Sequence, residues 1–111
     1  MNSSTQESFV NSTQYFELTN TESIPNKRLY KKFINWVSGE FELFLQDNLH
    51  GLQIFFPGGW FNINEIETDK DAFEFEIVVK SKYEQKGIQI NVQLKAILNH
   101  ILKLKLTIFH D

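Results

Sequence analysis

Apolar residues recur at helical spacing over residues 26–38. The apolar stripe consists of Leu29, Tyr30, Phe33, Ile34, Trp36 and Val37. Asn26 can accept a hydrogen bond from the first turn, and Gly39 is a residue type typical of the position just after a helix. We therefore predict a helix over residues 26–38 whose apolar stripe, with Trp36 near its centre, faces the core.

After this helix, apolar residues alternate with polar ones, which is the pattern of strands that bury one face. The alternation predicts strands over residues 41–46, 52–56, 60–66, 72–80 and 88–92. Asp47-Asn48 and Pro57-Gly58-Gly59 are turn signals, and we expect the first two strands to form a hairpin. Residues 81–87 are polar and predict a loop before the fifth strand.

The residues that follow the fifth predicted strand fit two patterns. One is a helical stripe, which consists of Leu94, Ile97, Leu98, Ile101, Leu102 and Leu104. The other is a strand alternation, which is formed by Leu102, Leu104, Leu106 and Ile108. Periodicity does not separate the two for a short apolar run. The sequence therefore leaves two alternatives for residues 94–109, a short helix or a sixth strand that pairs with the fifth.

The first 23 residues are rich in Asn, Ser, Thr, Gln and Glu, which is the composition of a mobile segment. Tyr15, Phe16 and Leu18 interrupt this composition. They favour a short edge strand laid on the domain, and the alternative is a peptide that orders only on a partner. We predict a flexible polar tail over residues 1–23 and a single α+β domain over residues 24–111.

The order of the predicted elements defines a fold class. Consecutive strands joined by short turns usually pair as neighbours, and a helix with one apolar face covers one face of a sheet. We expect an α+β fold in which an N-terminal helix packs on a curved antiparallel sheet of five to six strands, with a strand or short helix at the C-terminus.

Aromatic residues are the main bias of the composition. The chain has 111 residues, the size of one domain, with 11 Phe, 3 Tyr and 2 Trp. Each buried ring removes roughly 150–250 Å² from water, so a Phe-rich core is the favoured interpretation. The alternative is that some rings stay exposed and bind a partner.

Charge and cysteine content exclude several functions. The net charge is −3, so binding of nucleic acid by the whole surface is disfavoured. Cysteine is absent, which excludes disulfides, thiolate metal sites and a cysteine nucleophile. No apolar stretch approaches the ~18 residues of a membrane span, and the start lacks a secretion signal, so we expect a cytoplasmic protein without a membrane partner.

Charge is also unevenly distributed along the chain. Residues 62–76 contain six acidic residues and one lysine, whereas residues 77–111 contain six lysines and two acidic residues. Such a surface allows a homodimer or orients a partner. The favoured interpretation is neutralisation between adjacent strands of one chain.

Residues suited to catalysis do not form a recognisable constellation. The three histidines are scattered at His50, His100 and His110, and no phosphate-binding loop is present. Carboxylates spaced by two occur at Glu40/Glu42, Glu65/Glu67 and Glu74/Glu76, which is typical of the solvent face of a strand. We therefore predict no catalytic residues, no metal ligands and no cofactor. A small enzyme that uses one carboxylate with His100 ranks well below the other hypotheses.

Four aromatic residues flank the Pro57-Gly58-Gly59 turn, namely Phe55, Phe56, Trp60 and Phe61. Alternate residues of a strand point to opposite faces, so these rings cannot all enter one core. The turn can be purely structural if the sheet curls or the N-terminal tail covers that face. The functional alternative predicts a partner contact at Phe55, Trp60 and Phe61, with Lys31 and Lys32 of the basic helix face steering an acidic partner.

These observations favour a non-catalytic protein-interaction domain, which would be an adaptor, an assembly factor or an inhibitor that occupies a surface. The alternative function is a carrier of a small hydrophobic ligand held between helix and sheet. An internal apolar cavity of several hundred Å³ would favour the carrier. A packed core with an exposed aromatic patch would favour the interaction domain.

Overall fold

The computed structural model describes residues 14–69 and 71–110, with side chains described as far as residue 104. In chain order the elements are β1 (Phe16–Ile24), α1 (Lys27–Glu40), β2 (Leu45–Asp47), β3 (Leu52–Phe56), β4 (Gly59–Ile66), β5 (Phe73–Ser81) and α2 (Glu84–His110). The five strands form one antiparallel sheet in the order β1-β5-β4-β3-β2. The expected α+β class with a five-stranded antiparallel sheet is therefore confirmed.

Strands β2 to β5 pair with their neighbours in sequence, as short connections favour. The tightest connection is Pro57-Gly58, because Phe56 of β3 lies directly opposite Gly59 of β4. Proline presets the first central position of such a turn, and Gly58 adopts φ +85° at the second, where other residues are strained. The turn signal in the sequence therefore corresponds to a real hairpin turn.

Both helices cover the same face of the sheet, which we call the inner face. Tyr30 of α1 packs on Phe73 and Phe75, with ring centroids 4.6 and 5.2 Å apart, and Phe33 packs on Phe75 at 5.4 Å. The fully buried residues of the sheet are Ile24, Ile54, Phe61, Ile63, Phe75, Ile77, Val79 and Ser81. Directly opposed residues share a face, so the register places these side chains in one layer.

Helix α1 agrees closely with its predicted range. The Oδ1 atom of Asn26 accepts a hydrogen bond from the Leu29 N–H at 2.9 Å, and so caps the first turn as expected. Gly39 lies inside the helix rather than after it, because the Phe41 N–H still donates to the Val37 carbonyl at 3.1 Å. The helix therefore ends at Glu40.

The prediction that Trp36 is a core residue is wrong, since its side chain is 40% exposed. Phe33 and Val37 point directly into the sheet, whereas Trp36 lies at the margin of the stripe. Its ring packs edge-on against His100 of α2, with centroids 4.7 Å apart. Trp36 therefore covers the junction between the two helices.

The predicted N-terminal helix is the second element, because strand β1 precedes it. All nine residues of β1 pair with β5. The prediction of an edge strand at Phe16 and Leu18 is therefore correct, but the strand is longer than expected. The tail predicted over residues 1–23 thus includes a strand of the sheet, and residues 1–13 lie outside the described residues. Polar residues dominate β1 because its outward-facing half is exposed.

The predicted strand over 88–92 and the proposed sixth strand are also wrong, because both lie within the 27-residue helix α2. The buried residues of α2 are Ile90, Leu94, Ile97, Leu98 and Ile101, whose spacing is helical. The alternation of Ile88, Ile90 and Val92 is misleading, since only Ile90 is buried. The helix is also far longer than the short one considered.

Helix α2 runs along β1 in the same direction as the strand. Gly87 approaches the Phe16 ring so closely that a Cβ would lie 2.8 Å from its Cδ2 atom. Further along, the Asn20 Nδ2 atom donates to Asn91 Oδ1 at 2.7 Å. Lys95 then forms an ion pair of 3.0 Å with Glu22. These contacts fix β1 between β5 and α2.

Candidate interaction surface

The face of the sheet turned away from both helices, which we call the outer face, is mostly polar. Its side chains alternate with the buried ones along each strand. On β1, β4 and β5 the outer face carries the polar residues Glu17, Thr19, Thr21, Ser23, Asn62, Asn64, Glu74, Glu76 and Lys80, together with Ile66 and Val78. This composition is typical of a sheet face in contact with water.

One corner of the outer face differs, because three apolar side chains lie side by side across three strands. Leu45 is opposite Phe55, and Phe55 is opposite Trp60. Leu45 is 73% exposed and Phe55 is 37% exposed, while Trp60 is half-buried. We call these three residues the apolar row. Opposed side chains on one face lie about 4.5–5.5 Å apart at Cβ, so the three form a continuous surface.

Two charged residues continue this row and support Trp60. Lys80 is opposite both Trp60 on β4 and Glu17 on β1. Its Nζ atom lies 5.7 Å from the centroid of the Trp60 ring and 3.6 Å from the Glu17 carboxylate. A cation over an indole ring is attracted to its electron-rich face. Lys80 therefore holds the indole against the sheet from one side only.

The connection between α1 and β2 adds two apolar residues beside the row. Leu43 is 92% exposed, and Phe44 packs on Phe41 with centroids 6.0 Å apart. Phe41 is itself buried against Phe61 at 5.1 Å, so the connection is anchored in the core. The apolar surface therefore extends around the β2 edge of the sheet.

Gln46 explains why Leu45 faces outward. The Nε2 atom of Gln46 donates to the carbonyl oxygens of Ser38 at 2.9 Å and Phe41 at 3.0 Å. Its Oε1 atom accepts from the Ser38 hydroxyl at 2.7 Å. These bonds hold Gln46 on the inner face, so its neighbour Leu45 must lie on the outer face. The sequence alternation did not indicate this orientation.

The turn beside the row is held by the junction between β5 and α2. The Lys82 N–H donates to the Gly58 carbonyl at 2.8 Å. The Tyr83 ring lies against Gly58, where a Cβ would be 3.1 Å from the Cε2 atom of the ring. The Ser81 hydroxyl donates to the Tyr83 carbonyl at 2.7 Å, which orders this junction. These contacts hold the Pro57-Gly58 turn in place, so it is not a free loop tip.

The structure separates the five residues predicted to bind a partner. Phe55 and Trp60 lie together on the outer face, as cross-strand neighbours. Phe61 is fully buried in the core and contributes nothing to the surface, contrary to the prediction. Lys31 and Lys32 are exposed on α1, on the opposite side of the sheet. One flat partner surface cannot contact both groups.

Two clefts of the described residues are open to solvent, and polar and apolar groups line each of them in nearly equal measure. A cleft of about 390 Å³ lies at the start of α1, between Lys27 and the acidic residues Glu65, Glu67 and Asp71. A second of about 290 Å³ lies between α1 and the β2–β3 turn, lined by Tyr30, Ile34 and Asn64 among others. Neither is an apolar cavity enclosed between helix and sheet.

Tyr30 has a clearly perturbed pKa. Burial of its ring between α1 and the sheet, aided by the nearby Glu65 carboxylate, raises the pKa of Tyr30 to about 12. A phenol that stays protonated far above neutral pH is a poor proton acceptor there. Tyr30 therefore acts in packing, against Phe73 and Phe75.

Metal-ligand clusters and membrane-spanning helices are both absent from residues 14–69 and 71–110. No group of three or more His, Asp or Glu side chains in that part of the chain is placed to hold a metal ion. Within the same residues, neither helix combines the length and the apolar character needed to cross a membrane.

Comparisons with known proteins identify no family. No protein-family model matches this chain, and no curated protein is significantly similar to it. A functional assignment therefore rests on the residues of the surface itself.

Proposed function

We propose that this chain is a non-catalytic protein-interaction domain that acts by occupying the surface of a partner protein, as an adaptor, an assembly factor or an inhibitor does. The contact surface is the apolar row of Leu45, Phe55 and Trp60. The observation that carries the proposal is the exposure of these side chains on a sheet face that no other described element covers.

The apolar row has no evident role in folding. Leu45 is opposite Phe55 at the edge of the sheet, and it is mostly exposed to water. Exposed apolar residues that form a contiguous patch commonly mark an interaction site, whereas single ones are ordinary. Three neighbours on three strands, with Leu43 and Phe44 beside them, form such a patch.

The contacts that hold the Trp60 ring in place favour binding. Lys80 lies over one side of the indole and is itself paired with Glu17. A ring already held in place loses little conformational entropy when a partner docks on it. Tryptophan is also among the residues that contribute most to protein–protein affinity. Trp60 is therefore the expected anchor, with Phe55 and Leu45 as its apolar surroundings.

The charges near the row indicate the chemistry of the partner. Lys82 is exposed at the turn, and Lys80 continues the row beyond Trp60 on β5. We therefore expect a protein surface with apolar side chains that enter the row and with a carboxylate near Lys82. Such a charge pair at the rim would mainly set orientation and association rate.

The carrier hypothesis has less support. A hydrophobic ligand needs a concave apolar site that buries most of its surface. The interior between α1 and the sheet is instead filled by Phe33, Val37, Phe61 and Phe75, all fully buried. The cytoplasmic location expected from the sequence stays a prediction.

The test compares capture of partners by the parent and by variants of the row. Phe55→Ser and Trp60→Ser each remove a ring from the outer face without touching the core. Extracts of the source cells are passed over each immobilised protein, and recovered proteins are quantified. A protein retained by the parent and lost by both variants is then purified, and its affinity is measured by calorimetry.

Leu49→Ser is the matched control, because Leu49 is 78% exposed and lies in the β2–β3 turn, outside the row. It should retain the partner with unchanged affinity. Trp60→Ala should weaken binding by about 2 kcal/mol or more, with an unchanged circular dichroism spectrum. Equal loss by the Leu49 variant, or full retention by both row variants, would refute the proposal.

A further inference from the structure

Among the described residues, strand β1 forms a long edge of the sheet that has no pairing neighbour on its outer side. It lies at the end of the strand order and pairs with β5 over nine residues, without a bulge. No other described residue forms a backbone hydrogen bond with it. Natural edge strands are usually shortened, bent, or guarded by proline or lysine to prevent further pairing. β1 contains neither residue, and its two glutamates are paired with Lys80 and Lys95 of the same chain.

The sequence of β1 is compatible with pairing to itself. In an antiparallel pair of two β1 strands with full overlap, Asn20 lies on the two-fold axis. Thr19 is then opposite Thr21 of the second copy, and Glu17 is opposite Ser23. Phe16 meets Ile24 at each end, on the inner face. Full overlap therefore places no glutamate opposite another glutamate, and like charges in that position would destabilise the pair.

Helix α2 presents an apolar residue beside this same edge. Ile88 and Val92 are 42% and 60% exposed and lie one helical turn apart. Asn91 and Lys95 contact β1, whereas His100 contacts α1 from the other side of the helix. At 100° per residue, Ile88 lies about 20° from Lys95 and about 120° from His100, so it borders the β1 edge. Val92 lies only about 80° from His100 and faces away from the sheet.

The spacing of the two helices in such a pair is suitable for packing. α2 packs against β1 and β5 to a similar extent, so its axis lies about midway between them. With strands about 4.8 Å apart, the two α2 helices would be separated by about 10 Å. Helices that pack through side chains are 8–10 Å apart. The two-fold axis near Asn20 also passes near Asn91, so Ile88 of each copy lies close to the axis, on the flank of α2 that faces the other copy.

From these observations we infer that two copies of this chain associate through antiparallel pairing of their β1 strands, with Ile88 of each α2 helix packing beside the two-fold axis. The result is a continuous sheet built from the five strands of each copy. Full overlap of the strands adds roughly eight to ten backbone hydrogen bonds. The interface is isologous, so it closes after two copies.

This interface does not depend on the proposed partner surface. The row on β2, β3 and β4 lies toward the other edge of the sheet, so each copy in the dimer keeps its own row free. Failure of either idea leaves the other intact, because one is measured as self-association and the other as capture of a partner.

The test is sedimentation equilibrium of the full chain across a wide concentration range. The parent should fit a monomer–dimer equilibrium. In the variant Thr19→Lys, Thr21→Lys, the lysine at position 19 of each copy is opposite the lysine at position 21 of the other copy. This repulsion should raise the dissociation constant of the dimer about tenfold or more. Within one chain, position 21 is opposite Glu76 and position 19 is opposite Val78, so the fold tolerates both lysines.

The matched control is Thr19→Glu, Thr21→Lys, which differs only in the sign of one charge. Here each introduced glutamate is opposite an introduced lysine of the second copy, and dimerisation should equal or exceed that of the parent. Ile88→Gln should weaken the dimer, whereas Val92→Gln, on the side of α2 that faces away from the sheet, should leave it unchanged. A monomeric parent, equal behaviour of the two double variants at positions 19 and 21, or a dimer unaffected by Ile88→Gln would overturn the inference.

Discussion

The two faces of the sheet contain similar residue types with different consequences. Trp60 and Phe61 are adjacent in sequence, yet Phe61 is fully buried under α1 and Trp60 is half-exposed on the outer face. Ile54 and Phe55 on β3 differ in the same way. The comparison teaches that aromatic content does not locate a binding surface. The side of the strand on which a ring falls, and what covers that side, decides its role.

The two helices are the reason why the two faces differ in burial. Two helices pack on the inner face, so apolar side chains there contribute to folding through burial. No described element packs on the outer face, so Leu45, Phe55 and Trp60 contribute much less to stability. An apolar row that folding does not require is therefore the best candidate for an external contact.

Removal of β1 should have the largest effect on this two-faced sheet. A chain that begins at Ile24 loses eight of the nine residues that pair with β5, and also loses the contacts of Phe16, Asn20 and Glu22 with α2. We expect the cooperative thermal transition to disappear. A chain that begins at Gln14 keeps every described residue and should melt within a few degrees of the parent in calorimetry. Similar melting temperatures for the two chains would show that the packing of the helices on the inner face does not depend on β1.

Substitution of the adjacent aromatics Phe61 and Trp60 tests the comparison directly. Phe61→Ala leaves a cavity in a closely packed core and should lower the free energy of unfolding by about 3–5 kcal/mol. Trp60→Ala removes a ring from the outer face and should cost about 1 kcal/mol or less. Urea unfolding of the two variants provides the measurement. Equal losses would mean that the outer face contributes to folding as much as the inner face does.

A smaller effect is expected from Tyr30 at alkaline pH. Its pKa is raised from 10.0 to about 12, so the folded state favours the protonated phenol. The resulting stabilisation is complete below the pKa of the unfolded chain and is lost as pH rises from about 10 toward 12. Between about pH 8 and pH 11 the parent should lose about 1 kcal/mol more stability than Tyr30→Phe.

Tyr83→Phe is the control for this measurement, because the Tyr83 ring is exposed beside Gly58. This variant should keep the pH dependence of the parent in urea unfolding. Loss of the alkaline dependence in Tyr83→Phe, with retention in Tyr30→Phe, would contradict the assignment of the effect to the buried inner-face phenol.

The smallest effect is expected from the basic face of α1. Lys31 and Lys32 lie on the opposite side of the sheet from the apolar row, so Lys31→Glu with Lys32→Glu should alter no direct contact of the proposed partner. Association with that partner should slow only modestly at low salt, and the difference should vanish at high salt. Stopped-flow kinetics at two ionic strengths provides the measurement. A salt-independent loss of affinity would place the partner contact on α1.

Much of the central fold was predictable because its elements carry strong local patterns. α1 has a capping Asn26 and a broad apolar stripe, and β3, β4 and β5 alternate around a Pro57-Gly58 turn. Two elements were missed for identifiable reasons. β1 is polar because half of it faces water at an edge, and its order comes from backbone pairing with β5. The start of α2 alternates like a strand, and only contact with the sheet selects the helical face.

The candidate site was predictable only in part. Four aromatics around one turn already required that some rings lie away from the core, and Phe55 and Trp60 do so. The burial of Phe61 depends on the register of β4 and on Phe41 packing against it. The exposure of Leu45 depends on the hydrogen bonds of Gln46 with Ser38 and Phe41. Neither relation can be derived from residue spacing.

By itself, the sequence determined the α+β class, the aromatic core and the hairpins, because capping, alternation and turn chemistry act over a few residues. Tertiary structure alone decided the place of β1, the helical state of residues 84–110 and the separation of Lys31 from Trp60. Those outcomes depend on contacts between residues far apart in the chain. A polar strand is ordered by its neighbour, and an ambiguous apolar run takes the conformation that buries the most surface against the sheet.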